Sequence, residues 1–164
     1  MSTSFKMLDF PKQKTALNTI LISGLAAGVL DAFAGVIVYF IWFGFNPLQV
    51  LQYIATGIYG AAAMTGGFPM VLAGLVLHFL IAYVVATIYF FAYPQISILR
   101  KYKVAAGLVF GLGVWLVMNL LVLPNSNVPP APFDAGLATV GILWHMLLVG
   151  LPISLITAGY YSNK

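Results

Sequence analysis

Apolar residues fall into four long stretches separated by short polar or proline-rich intervals. The stretches cover residues 17–43, 69–93, 104–123 and 137–160. A bilayer core is ~30 Å thick and a helix rises ~1.5 Å per residue, so about 20 apolar residues are enough to cross it. Each stretch meets that length. The pattern predicts four transmembrane helices, and they use up most of the chain.

The intervals between them differ. Residues 44–68 do not read as a plain loop. Asn46-Pro47 has the form of a helix N-cap followed by proline at the first helical position. Gln49, Gln52 and Thr56 then recur on one face, with Leu48, Leu51, Ile54, Ala55 and Ile58 on the other. This predicts an amphipathic helix over 47–60 lying at the outer membrane interface, with a re-entrant hairpin as the competing arrangement. Gly60, Gly66 and Gly67 let the chain turn back into the second span. Residues 124–136 hold Pro124, Pro129, Pro130 and Pro132 and should be irregular and stiff. The fold class is therefore an all-α membrane bundle of four spans with an extra interfacial helix, in one domain over 1–164.

Charge gives this division an orientation. Lys6, Lys12 and Lys14 precede the first span, Arg100, Lys101 and Lys103 separate the second from the third, and Lys164 follows the fourth. The other two intervals contain no Lys or Arg. All seven basic residues thus fall on one side, which the positive-inside rule makes cytoplasmic, together with both termini. The net charge of +4 is a topology signal, and no nucleic-acid partner is expected. Tyr39, Trp42, Tyr89, Tyr93, Tyr160 and Tyr161 lie near span ends, as aromatic belts do. The segment from Leu17 to Phe43 is too long for a signal-peptide core and reads as a retained first span. Only 6% of the residues are charged, against roughly a quarter in soluble domains, so lipid must face most of the chain.

An internal repeat also emerges. The first and third spans carry Gly24-x3-Gly28 and Gly107-x3-Gly111. The second and fourth carry Gly74-x3-His78 and Gly141-x3-His145. Both halves start on the same side, so they read as parallel 2+2 repeats. The glycine faces are candidate contacts for a homo-oligomer.

Chemistry is restricted. There is no cysteine, so thiolate metal sites and disulfides are excluded. The acidic residues are three aspartates, and no HExxH, GxSxG or Walker-type motif occurs. Hydrolytic and phosphoryl chemistry lacks the carboxylates it needs, so a non-enzymatic protein without a cofactor is expected. What remains is a set of polar residues inside the spans: Asp31, His78, Asn119 and His145. An Asp at a helix centre costs ~3 kcal/mol on insertion scales, so such residues face the bundle interior. Counting residues places His78 and His145 roughly 12–13 Å below the outer ends of their spans, with Asp31 and Asn119 at a similar level. Three readings fit this layer. It can be a hydrogen-bonded network that fixes helix register. It can be a site that handles protons or a small solute. Or His78 and His145 can be paired haem ligands of an electron carrier. Trp115 and Trp144 read as packing or anchoring residues, and Pro152 as a kink.

Several pieces resemble a group of small bacterial inner-membrane proteins close to the YagU-like proteins. They are Gly28-Val-Leu-Asp31, Pro47 to Gly57, Leu77-His78-Phe79, Met118-Asn119 and His145 to Pro152, in order along nearly the whole chain. The resemblance implies a bacterial inner-membrane location, and it groups Asp31, His78, Asn119 and His145 in one shared pattern. It implies no activity. Independently of the resemblance, the leading expectation is a small non-enzymatic membrane protein that handles protons or a small solute, or supports an envelope stress response.

Overall fold

Side-chain caps start the first two helices. In a computed structural model, residues 15–162 are described, so Lys6, Asp9, Lys12, Lys14 and Lys164 lie outside the described residues. Thr15 accepts the Asn18 N–H and opens helix α1, Ala16–Phe43. Gly44 closes it with φ +69°, a left-handed conformation that favours glycine. The Asn46 side chain then accepts the N–H groups of Leu48 and Gln49, while Gln49 Oε1 accepts the Asn46 N–H at 2.9 Å. This reciprocal capping box starts α2, Pro47–Tyr59. A short 3₁₀ segment, Gly60–Thr65, leads into α3, Gly67–Ala92.

Beyond α3 lie α4, Ser97–Lys101, and α5, Lys103–Val117. The latter continues through a wide π-type turn, Met118–Val122, and ends in a 3₁₀ turn at Leu123–Asn125. The last span consists of α6, Ala135–Trp144, a second π-type turn, His145–Gly150, and α7, Leu151–Tyr161. Pro124 and Pro152 each follow a π-type turn by two residues. Proline cannot donate the helical hydrogen bond, and its ring presses on the carbonyl four residues back. A widened turn just ahead of it relieves both constraints.

The protein is all-helical among the described residues. Four helices are long and apolar enough to cross a membrane: Ala16–Phe43, Gly67–Ala92, Lys103–Asn125 and Ala135–Tyr161. Large apolar side chains such as Phe33, Val76, Val109 and Leu120 point away from the bundle. In water this would be untenable; facing lipid it is the expected arrangement.

Glycines set the close contacts. Gly24 and Gly28 on α1 lie against Tyr83 and Phe79 of α3; a methyl on Gly28 would sit 2.8 Å from the Phe79 ring. Gly107 and Gly111 on α5 lie against the last span, facing Ser154 and Gly150 in one case and His145 and Met146 in the other. These four glycines are therefore covered within the chain. The expectation that they supply oligomer contacts meets a face that is already packed. The last span also packs against α1, so α1 sits between α3 and the last span.

Arg100, Lys101 and Lys103 mark one end of the bundle, called the basic end. There the aromatic residues turn inward. Tyr89, Tyr93 and Tyr160 are buried, not displayed as a belt. Tyr89 donates to Ser154 Oγ at 2.7 Å, and Ser154 donates in turn to the Lys103 carbonyl at 2.6 Å. This chain joins α3, α7 and α5. Burial without a partner costs a hydroxyl more than its bond is worth, so the partners have to be found inside.

Helix α2 departs from the expected facing. Gln52 and Thr56, two of the three residues of its polar stripe, are buried, while Leu48 and Ile58 are more than half exposed. A methyl on Gly74 of α3 would collide with the Leu51 carbonyl, so the two backbones are in direct contact. Gln52 Nε2 reaches the Gly67 carbonyl at 3.4 Å. The helix buries Gln52 and Thr56 alongside Val50 and Ala55 and leaves Leu48 and Ile58 outward, so its polar face does not meet water as a whole.

Candidate intramembrane site

Three of the four predicted polar residues meet. Asp31 lies twelve residues from the end of α1, His78 eleven from the start of α3 and His145 ten from the start of α6. At 1.5 Å per residue they sit about 15–18 Å from the helix ends opposite the basic end, slightly short of the middle of spans ~39–42 Å long. Asp31 Oδ2 is 3.9 Å from His78 Nδ1, and Asp31 Oδ1 is 3.7 Å from His145 Nε2. Both distances exceed a direct hydrogen bond and lie within ion-pair range.

The far side of each ring decides its chemistry. His78 Nε2 is 2.7 Å from the Gly28 carbonyl, and His145 Nδ1 is 2.7 Å from the Gly141 carbonyl. A carbonyl only accepts, so both of these nitrogens carry hydrogen. In the neutral rings the remaining nitrogens, His78 Nδ1 and His145 Nε2, hold lone pairs, and both face Asp31. Lone pairs facing an ionised carboxylate repel it. One proton added to any of the three groups converts a repulsive pair into an attractive one. It also brings the cluster from a formal −1 to zero.

Local structure explains the positioning. Because Gly28 has no side chain, α3 approaches closely enough for His78 to reach the α1 backbone. His145 opens the π-type turn and stacks on Trp144, with ring centres 5.2 Å apart. The Trp115 indole covers Gly141, whose added methyl would lie 2.7 Å from Trp115 Nε1.

Two features differ from the sequence reading. Trp144 Nε1 donates to Asp31 Oδ1 at 2.8 Å, the shortest polar contact Asp31 makes. Depth was the available signal, because a tryptophan about 14 Å inside a span is too far from the headgroups to serve as an anchor. Asn119 stays outside the cluster: its amide donates to the Trp115 carbonyl of its own helix at 2.9 Å. It lies six residues from Asn125, about 9 Å from the end of its span and above the level of the trio.

Haem ligation would require both rings to leave Asp31 and face one iron. Among the described residues, no group of three His, Cys, Asp or Glu side chains is arranged to hold a metal ion. The side chain of Asp31 remains a quarter exposed, whereas His78 and His145 are mostly covered. Compared with protein-family models, curated proteins and solved structures, the chain matches none.

Proposed function

We propose that this chain is a multi-pass protein of a bacterial inner membrane that binds and transfers protons at Asp31, His78 and His145. One observation carries the reading. Each histidine commits one nitrogen to a backbone carbonyl and turns its only titrating nitrogen toward the same carboxylate. The gaps are 3.7 and 3.9 Å, so a side-chain movement of about 1 Å brings either histidine to hydrogen-bond distance of Asp31, where a proton can change owner. Trp144 holds the carboxylate in place from a third direction.

The one-sided distribution of basic residues supports cytoplasmic termini. The outward apolar side chains of α2 support a helix embedded against α3 within the membrane. The parallel repeat has support in contact register: Gly24 meets Tyr83 and Gly28 meets Phe79, just as Gly107 meets Gly150 and Gly111 meets Met146. The same offsets relate both pairs. Kinship with the YagU-like proteins rests on the motifs alone.

The test is proton flux. Wild type and Asp31→Asn are reconstituted in liposomes loaded with a pH-sensitive dye, and a potassium diffusion potential drives protons inward. Wild type is expected to acidify the lumen, and Asp31→Asn to lose most of that flux. Equal flux in both would remove the role assigned to Asp31.

A further inference from the structure

The basic residues do more than mark one end. Arg100, Lys101 and Lys103 line a cleft of about 280 Å³ with Tyr93, Ala158 and Ser162. Arg100 donates one N–H to the Pro94 carbonyl at 2.7 Å, which fixes the guanidinium at the wall while its other donors remain. Lys101 Nζ lies 5.1 Å above the Tyr102 ring. The aspartates among the described residues are Asp31, near the middle of the bundle, and Asp134, which caps α6 at the opposite end. No carboxylate among them is paired with these three cations.

A second cleft, of about 320 Å³, runs between Thr19 and Ile22 of α1 and Leu155 and Ile156 of α7. Leu155 and Gly159 line both clefts. A cationic mouth thus opens directly into a largely apolar groove on the lipid-facing side of the bundle. Topology alone requires only that basic residues lie on the correct side. It does not require three of them to converge on a cleft that continues as an apolar groove.

We infer that the basic end binds an anionic phospholipid, with its phosphate at Arg100, Lys101 and Lys103 and one acyl chain in the groove between α1 and α7. The headgroup chemistry is a phosphodiester whose charge no headgroup ammonium offsets. Arg and Lys bind such oxygens through charge-assisted hydrogen bonds, and basic clefts on the cytoplasmic side of a bundle hold anionic headgroups. The apolar continuation selects a lipid over a soluble phosphate. The inference stands independently of Asp31.

Native mass spectrometry of the detergent-purified protein tests it. The probes are phosphatidylglycerol, phosphatidylcholine with the same acyl chains, and phosphatidylglycerol with excess inorganic phosphate. Wild type is expected to retain phosphatidylglycerol over phosphatidylcholine by about tenfold or more, undisturbed by inorganic phosphate. Arg100→Gln/Lys103→Gln should erase that preference. Because removing these charges can disturb insertion, Gly159→Leu supplies a second arm with every charge kept. A methyl on Gly159 has open space around it, so there is room for the larger side chain to enter the groove. It is expected to abolish the adduct while circular dichroism stays native. Equal retention of the two lipids, displacement by inorganic phosphate, or an unchanged adduct in Gly159→Leu would each overturn the proposal.

Discussion

Two glycines two residues apart on α5 should respond in opposite ways to the same added methyl. At Gly111 the methyl would lie 2.6 Å from Met146 Cα and 2.7 Å from the His145 carbonyl carbon. Ordinary carbon contacts are about 3.5–4.0 Å, so the helices must part by about 1 Å. The obstruction is backbone and cannot rotate away, so the overpacking cost falls in the upper part of the usual ~1–3 kcal/mol. Alanine recovers up to about 1 kcal/mol of helix propensity over glycine. Gly111→Ala should therefore destabilise the protein by about 1–2 kcal/mol. Gly113 has nothing within 4 Å of its added methyl, so Gly113→Ala should be neutral or stabilising by up to about 1 kcal/mol. Unfolding from dodecylmaltoside micelles by SDS, followed by circular dichroism, measures both. The displaced atoms belong to His145, so its ring ¹⁵N resonances should move in Gly111→Ala and stay in place in Gly113→Ala. Equal stabilities for the two variants would refute the view that backbone contact at Gly111 holds the last span in place.

Three further substitutions probe other links. Trp144→Phe keeps an aromatic ring but removes the donor to Asp31. It should cost about 1 kcal/mol, and a double-mutant cycle with Asp31→Asn should recover most of that as coupling energy. Additive effects would argue against the bond. Ser154→Ala strands the buried Tyr89 hydroxyl and removes the side-chain link to the Lys103 carbonyl, and should cost about 1–3 kcal/mol in the same SDS titration. Asn46→Ala dismantles the capping box at a cost of about 1 kcal/mol. It should be visible first as faster amide exchange at Leu48 and Gln49, with the core of α3 unaffected.

The spans could be read from the sequence because hydropathy and charge point to the same division, and the structural boundaries differ from it by no more than three residues. Asp31, His78 and His145 could be brought together by counting residues, since helix rise converts sequence position into depth. Side-chain direction could not be counted in the same way. Asn119 has a nearer acceptor in its own preceding turn, and such local bonds outcompete distant ones. Trp144 reads as packing in the sequence because an indole N–H declares itself only when an acceptor stands opposite. The facing of α2 depends on whether water or lipid lies outside, and its periodicity is the same in either case.

The π-type turn at His145–Gly150 has a consequence for chain length. Such a turn accommodates one residue more than a regular helical turn. Deleting a single residue there, and so restoring regular winding, would keep the segments on either side in phase, because the wide turn already absorbs the extra residue. Winding the turn regularly with no residue removed would instead rotate everything ahead of it by about 100° relative to α7. Gly150 and Ser154 would then keep their seats against α5, while Trp144 would swing away from Asp31. The width of this turn, and not the hydrophobicity of its residues, therefore sets where Trp144 and His145 point. A single-residue deletion here should be tolerated better than one in the regular helix of α5.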